Sequence, residues 1–124
     1  MAAPNIVNVT TITGKTNVVD LTTTNATLVV ENPAASNKVF KINSLIVSNV
    51  DGTNAADITI SYYSAAAIGG TATQIVSTVS VPADASLIVI DKNTYIYLEE
   101  DRSIGATAGS ASDLKVVCSY EELS

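Results

Sequence analysis

Apolar residues in this chain recur at every second position in short runs, and each run is bounded by Gly, Pro, Asn or Asp. A two-residue period puts alternate side chains on opposite faces of a strand, so the pattern predicts β-structure throughout. The longest run, residues 38–50, carries Phe40, Ile42 and Ile46 on one parity and Val39, Leu45 and Val47 on the other. A two-faced run of that length suits a central strand, bent by a bulge near Asn43-Ser44. Further strands are expected at 5–13, 27–31, 58–63, 74–81, 87–90, 95–98, 102–108 and 114–120, with 18–21 only a brief apolar stretch. Gly14-Lys15-Thr16-Asn17 reads as a turn between the first strand and that stretch, and Asp51-Gly52 as the strongest turn dipeptide. Residues 65–73, with Gly69-Gly70, read as a loop. The continuous apolar run 87–90 reads as a strand buried on both sides. Turn signals at intervals of about 8–12 residues, and eight or nine strands, indicate an all-β fold. The expected architecture is a single-domain antiparallel β-sandwich, jelly-roll-like, over residues 1–124. Residues 1–13 serve as an N-terminal arm or edge strand.

Composition supports the strands. Val (15) and Ile (12) are abundant, and β-branched side chains pack well on a pleated surface. Thr, Ser and Asn together number 38, which favours turns and polar strand faces over helices. No stretch approaches the ~18 apolar residues that span a bilayer, and no secretory signal is visible. Twelve Asp and Glu against six Lys and Arg give a net charge of −6, the wrong sign for a phosphate-binding groove. No nucleic-acid or membrane partner is therefore expected.

The chain has no His, which removes the usual general base near neutral pH and the commonest metal ligand. Its one cysteine, Cys118, excludes an internal disulfide and alternates with Val116 and Tyr120 as a small buried hydrophobe would. Gly14-Lys15-Thr16 resembles the end of a phosphate loop, but Val9 stands where that motif needs its first Gly. The acidic corner Glu99-Glu100-Asp101 alternates across a strand and lacks the spacing of a calcium loop. Paired carboxylates for glycoside hydrolysis would need an aromatic-lined cleft, and the chain has one Phe and no Trp. No catalytic residue, metal site or cofactor is expected.

Tyrosine is the remaining candidate chemistry. Tyr62 and Tyr63 must face opposite ways on a strand, whereas Tyr95 and Tyr97 share a face that points outward if Ile96 and Leu98 point in. Tyr120 lies near the C-terminus. Tyr combines an apolar body with a hydrogen-bonding tip and is enriched at interfaces, so these five are candidate contact residues. Outward strand faces rich in Thr, Ser and Val, with few charges, also suit a surface covered by another chain.

The succession Lys38-Val39-Phe40-Lys41-Ile42-Asn43-Ser44-Leu45-Ile46-Val47-Ser48-Asn49, then Ala56-Asp57-Ile58-Thr59-Ile60, Val81-Pro82-Ala83, Tyr97-Leu98-Glu99-Glu100 and Ser119-Tyr120-Glu121-Glu122, resembles small virion proteins of tailed bacteriophages, those of cyanophages in particular. The resemblance spans residues 38–124. It implies a β-sandwich without catalytic residues, assembled as a homotrimer or another ring and located in the virion. The expected role is a capsid decoration or cement protein that contacts the major capsid protein. A neck, tail or fibre-associated subunit and a carbohydrate-binding adhesion sandwich are the alternatives. A decoration protein needs a grip on the lattice, and residues 2–13 offer one by adding a strand to a neighbouring sheet. Ile6, Val7 and Val9 would then be interface residues.

Overall fold

The computed structural model describes residues 4–124, in which the alternation becomes nine strands and no helix. They are β1 (Ile12–Asp20), β2 (Thr27–Asn32), β3 (Val39–Asn49), β4 (Ala56–Ala65), β5 (Gly69–Val81), β6 (Ser86–Ile90), β7 (Ile96–Leu98), β8 (Arg102–Ala108) and β9 (Leu114–Leu123). One sheet runs β1-β9-β3-β6, with β7 also pairing β3, and the other runs β2-β8-β4-β5. Every pairing is antiparallel. The two sheets enclose one core of Val, Ile, Leu and Ala with Phe40, Cys118 and Tyr120, and Phe40 and Tyr120 stack at 5.2 Å. This is the β-sandwich that the periodicity predicts.

β3 shows how the pattern works. Its pairing with β9 skips one residue between Ile42 and Ser44, so Asn43 is an extra residue and the strand changes phase. Before the bulge Phe40 and Ile42 are buried; after it Leu45, Val47 and Asn49 are. A one-residue bulge reverses which parity faces the core. Ile46, grouped by its number with Phe40 and Ile42, therefore lies on the outer face.

Four local expectations need correction. Gly14-Lys15-Thr16-Asn17 is not a turn but part of β1, which pairs with β9 without interruption from Ile12↔Leu123 to Asp20↔Lys115. Among the described residues a Cβ at Gly14 would meet nothing within 4 Å, so no close neighbour there demands the glycine. Residues 5–8 form a turn rather than the start of a strand, because the Asn5 carboxamide oxygen accepts from the Val7 amide (3.0 Å) and Asn8 N donates to Asn5 O (3.0 Å). Met1, Ala2 and Ala3 of the expected arm lie outside the described residues. Residues 65–73 are a tight hairpin instead of a loop. Ala67 and Ile68 hold φ of 57° and 50° at its centre, the geometry of a type I′ turn closed by Gly69 N to Ala66 O (3.1 Å). Lastly, β6 is an edge strand beside β3, and Ile88 is 63% exposed instead of buried.

Two buried asparagines, Asn49 and Asn32, and the half-buried Asn17 join the sheets. Asn49 on β3 donates to the carbonyl of Val81 on β5 (3.0 Å) and of Asn54 (2.9 Å), while its oxygen accepts from Asp51 N (2.9 Å). Asn32 on β2 donates to Leu98 O on β7 (3.0 Å) and to Lys38 O (2.8 Å). Asn17 on β1 donates to Val29 O on β2 (3.0 Å), which ties those two edges. A buried amide is tolerated only when its donors and acceptors are used, and among the described residues no buried side-chain polar atom lacks a partner.

Candidate interaction surface

The outward-facing positions of the β1-β9-β3-β6 sheet line up in rows across the strands. One row is apolar: Val18 pairs with Val117, Val117 with Ile46, and Ile46 with Ile88. Val18, Val117 and Ile88 are 68%, 37% and 63% exposed. Cross-strand neighbours on one face lie about 4.5–5.5 Å apart, so the four side chains make a continuous stripe. A polar row, Asp20–Lys115–Ser48–Ser86, lies beyond it, with Lys115 and Asp20 ion-paired at 3.0 Å. Toward the other end runs the row Gly14–Glu121–Lys41–Tyr97.

Two of the candidate tyrosines sit on this face. Tyr95 and Tyr97 are both exposed, with ring centroids 5.6 Å apart in an edge arrangement at 85°. The Lys41 ammonium lies 4.4 Å from the Tyr95 centroid, a cation–π contact that fixes the ring over the sheet. The other three are dispersed. Tyr62 turns inward and packs against the core, while Tyr63 lies on the opposite face over Gly105. Tyr120 is not a surface residue: it is 6% exposed because its parity on β9 faces the core, and its hydroxyl reaches the Asn17 oxygen (3.4 Å). Ile6 and Val7 are exposed and Val9 is half-buried, all before β1 and away from the tyrosine pair in sequence.

On the side away from β1 and β2 the sandwich is open. A cleft of about 330 Å³ lies between the β5 edge of one sheet and β6 and β7 of the other. It is lined by Tyr62, Ile75, Val89, Ile90, Thr94, Ile96 and Tyr97. Its lining is mostly apolar, with the Tyr62 and Tyr97 phenols and the Thr94 hydroxyl as its polar groups and neither a carboxylate nor an amine among them.

The remaining sequence candidates have structural partners. The Asp101 carboxylate accepts from Ala66 N (3.0 Å), Glu100 from Asn37 N (3.2 Å) and Glu31 from Ala67 N (2.8 Å), so the acidic corner fastens loops. Among the described residues no three of His, Cys, Asp or Glu converge as a metal site would require. Asp51 caps its own turn through Thr53 N and Asn54 N, and these bonds hold its carboxyl below the ordinary range. Burial pushes the Cys118 thiol up to about 12, which leaves it an unreactive core residue. Burial would also raise the Glu122 carboxyl. Hydrogen bonds from Lys38 and Lys15, both 3.0 Å away, outweigh that effect and hold it low.

Sequence reasoning missed the apolar stripe because its members sit in four strands and become neighbours only through register. The one local signal is Val117, apolar on the parity opposite Val116 and Cys118. The cleft was equally hidden, since Ile75 and Ile96 belong to different sheets.

No protein-family model matches the sequence, and no curated protein matches it either. Among solved structures, the chain is similar to one from Bacillus endospore appendages, which form a novel family of disulfide-linked pili. The TM-score is 0.54 at 17% identity, over 92% of this chain and 88% of that one. That likeness establishes a shared β-sandwich fold.

Proposed function

We propose that the protein is a non-enzymatic structural subunit that assembles with copies of itself, and that it decorates or cements a phage capsid from the outside. The observation that carries this reading is the outer face of the β1-β9-β3-β6 sheet, where an apolar stripe and an aromatic pair stand exposed on a rigid scaffold. Apolar rows of this kind, framed by polar ones, mark surfaces that another protein covers. The resemblance of residues 38–124 to phage virion proteins supplies the particle, and the acidic charge suits an exterior location. The solved neighbour comes from Bacillus endospore appendages, which form disulfide-linked pili. Those pili are disulfide-linked, whereas the lone thiol here is buried in the core, so an assembly of this chain is held by non-covalent contacts.

The glycan-binding alternative is weaker on geometry. Tyr95 and Tyr97 meet at 85°, so they present no common plane on which a sugar ring can stack. The test is mass spectrometry and density localisation on purified particles, alongside light scattering of the free chain at increasing concentration. Copies on the head exterior and self-association in solution are expected. A chain that stays monomeric and is missing from every particle would refute the reading.

A further inference from the structure

We infer that the outer face of the β1-β9-β3-β6 sheet packs on the same face of a second copy about a two-fold axis. The axis runs parallel to the strands, between β9 and β3. The inference rests on the reading of the chain as an assembling subunit and names one of its contacts. Rotation about that axis keeps each row at its height and reverses the strand order, so β1 lies over the partner's β6 and β7, and β9 over its β3. The apolar stripe then meets itself: Val18 faces Ile88 and Val117 faces Ile46.

Two further observations fit this operator. In the row nearer the aromatic pair, Glu121 of each copy comes to face Lys41 of the other, twice over. In the same row Gly14 lies opposite Tyr97. Among the described residues of one chain nothing lies within 4 Å of a Cβ built at Gly14, so they give no reason for a glycine in the middle of a strand. Opposite an exposed tyrosine, the missing side chain makes the hollow that the ring fills. In the polar row Asp20 faces Ser86 and Lys115 faces Ser48, with no like charges opposed. The other in-plane two-fold, perpendicular to the strands and centred on the face, sets the apolar stripe against the Thr16–Ser119–Ser44 row and loses this match. Strands about 4.8 Å apart and rows about 7 Å apart give a face of roughly 500 Å² per copy, at the lower limit of a specific interface. The contact is therefore a weak, concentration-dependent one that a larger assembly would reinforce.

The test is sedimentation equilibrium on the full chain, with circular dichroism to confirm folding. Wild type is expected to dimerise, and Ile88→Lys to weaken the dimer at least about tenfold. Gly14→Val, which has room within its own chain, is expected to weaken it as well. Glu121→Lys and Lys41→Glu should each be monomeric alone, because each sets like charges across the axis. Mixed one to one they should associate with each other, since every cross-axis pair is then opposite in sign. A charge effect confined within one chain cannot produce that rescue. Failure of the mixture to associate overturns the two-fold face. Oligomers unchanged by Ile88→Lys overturn it too, yet leave self-assembly standing. A wild-type chain that is monomeric at all concentrations and absent from particles overturns both.

Discussion

Replacing Asn49 by Ala tests how the two sheets are held together. The side chain is 3% exposed and makes three hydrogen bonds, to Val81 O, to Asn54 O and from Asp51 N. Asn54 is exposed and its carbonyl can turn to water, and Asp51 is half-buried, so those losses are small. Val81 is 1% exposed, and its carbonyl would lose the carboxamide partner. An unsatisfied buried acceptor costs about 1–3 kcal/mol, and the void left by the carboxamide adds about 1 kcal/mol. The expected loss is thus about 3 kcal/mol. For 124 residues at about 2.1 cal/mol/K each, the unfolding entropy is ~260 cal/mol/K, so Tm should fall by ~11 °C. The assay is thermal and urea unfolding followed by circular dichroism and tyrosine fluorescence, with exposed Asn93→Ala as a control expected to shift Tm by less than 2 °C or so. Asn49→Asp sharpens the test: it keeps the shape but sets a carboxylate oxygen against the Val81 carbonyl. Its folded-state pKa should rise, so its deficit against wild type should grow as pH rises from about 4 to 7. A shift under about 3 °C for Asn49→Ala, or a pH-independent deficit for Asn49→Asp, would refute the reasoning.

Other perturbations carry clear signs. Gly105→Ala would bring a Cβ within 2.8 Å of Ile68 Cγ2 and 3.0 Å of Tyr63 Cε2, so a loss of about 1–3 kcal/mol is expected in chemical denaturation. Ala67→Asn should stabilise by up to about 1 kcal/mol, because Asn tolerates the φ of 57° that Ala adopts there at a cost; an unchanged urea midpoint would count against this. Cys118 should resist a thiol reagent at pH 8 in the native state and react fully in denaturant; fast native labelling would contradict its burial. The Glu122 carboxyl is held below its unfolded value. Its stabilisation is therefore present above that value and lost as pH falls through the folded one, and Glu122→Gln should flatten the acid limb of a stability–pH curve below about pH 4.5.

Much of this fold was legible because strand periodicity is a local property. Leu114, Val116, Cys118 and Tyr120 are all buried on β9 as their spacing requires, and the bulge at Asn43 follows from the change of apolar parity along β3. The errors fall where distant residues override a local preference. Gly14 to Asn17 looks like a turn, yet nine consecutive pairings with β9 hold it extended. Ala67 and Ile68 are poor type I′ residues, and their turn persists because side chains from afar accept its amides: Asp101 from Ala66, Glu31 from Ala67 and Ser103 from Ile68. The candidate surface was legible only in part. Tyr95 and Tyr97 could be placed outward from their neighbours Ile96 and Leu98, but the stripe from Val18 to Ile88 depends on three registers that no local pattern contains.

The phase change at Asn43 also limits how this sequence can vary. Deleting that one residue would remove the bulge and leave β3 in plain alternation, with Ile42 inward, Ser44 outward, Leu45 inward and every later pairing with β9 kept. Losing Ile46 instead would send Val47 and Asn49 outward and Ser48 inward, which takes the inter-sheet amide into solvent and a serine into the core. The bulge residue is therefore the length change that β3 can absorb, and its half-buried side chain bonds to Glu121 (3.1 Å). Substitution or deletion at position 43 should be mild, whereas a deletion within 45–49 should be ruinous. In this strand spacing, more than residue identity, is what selection must hold constant.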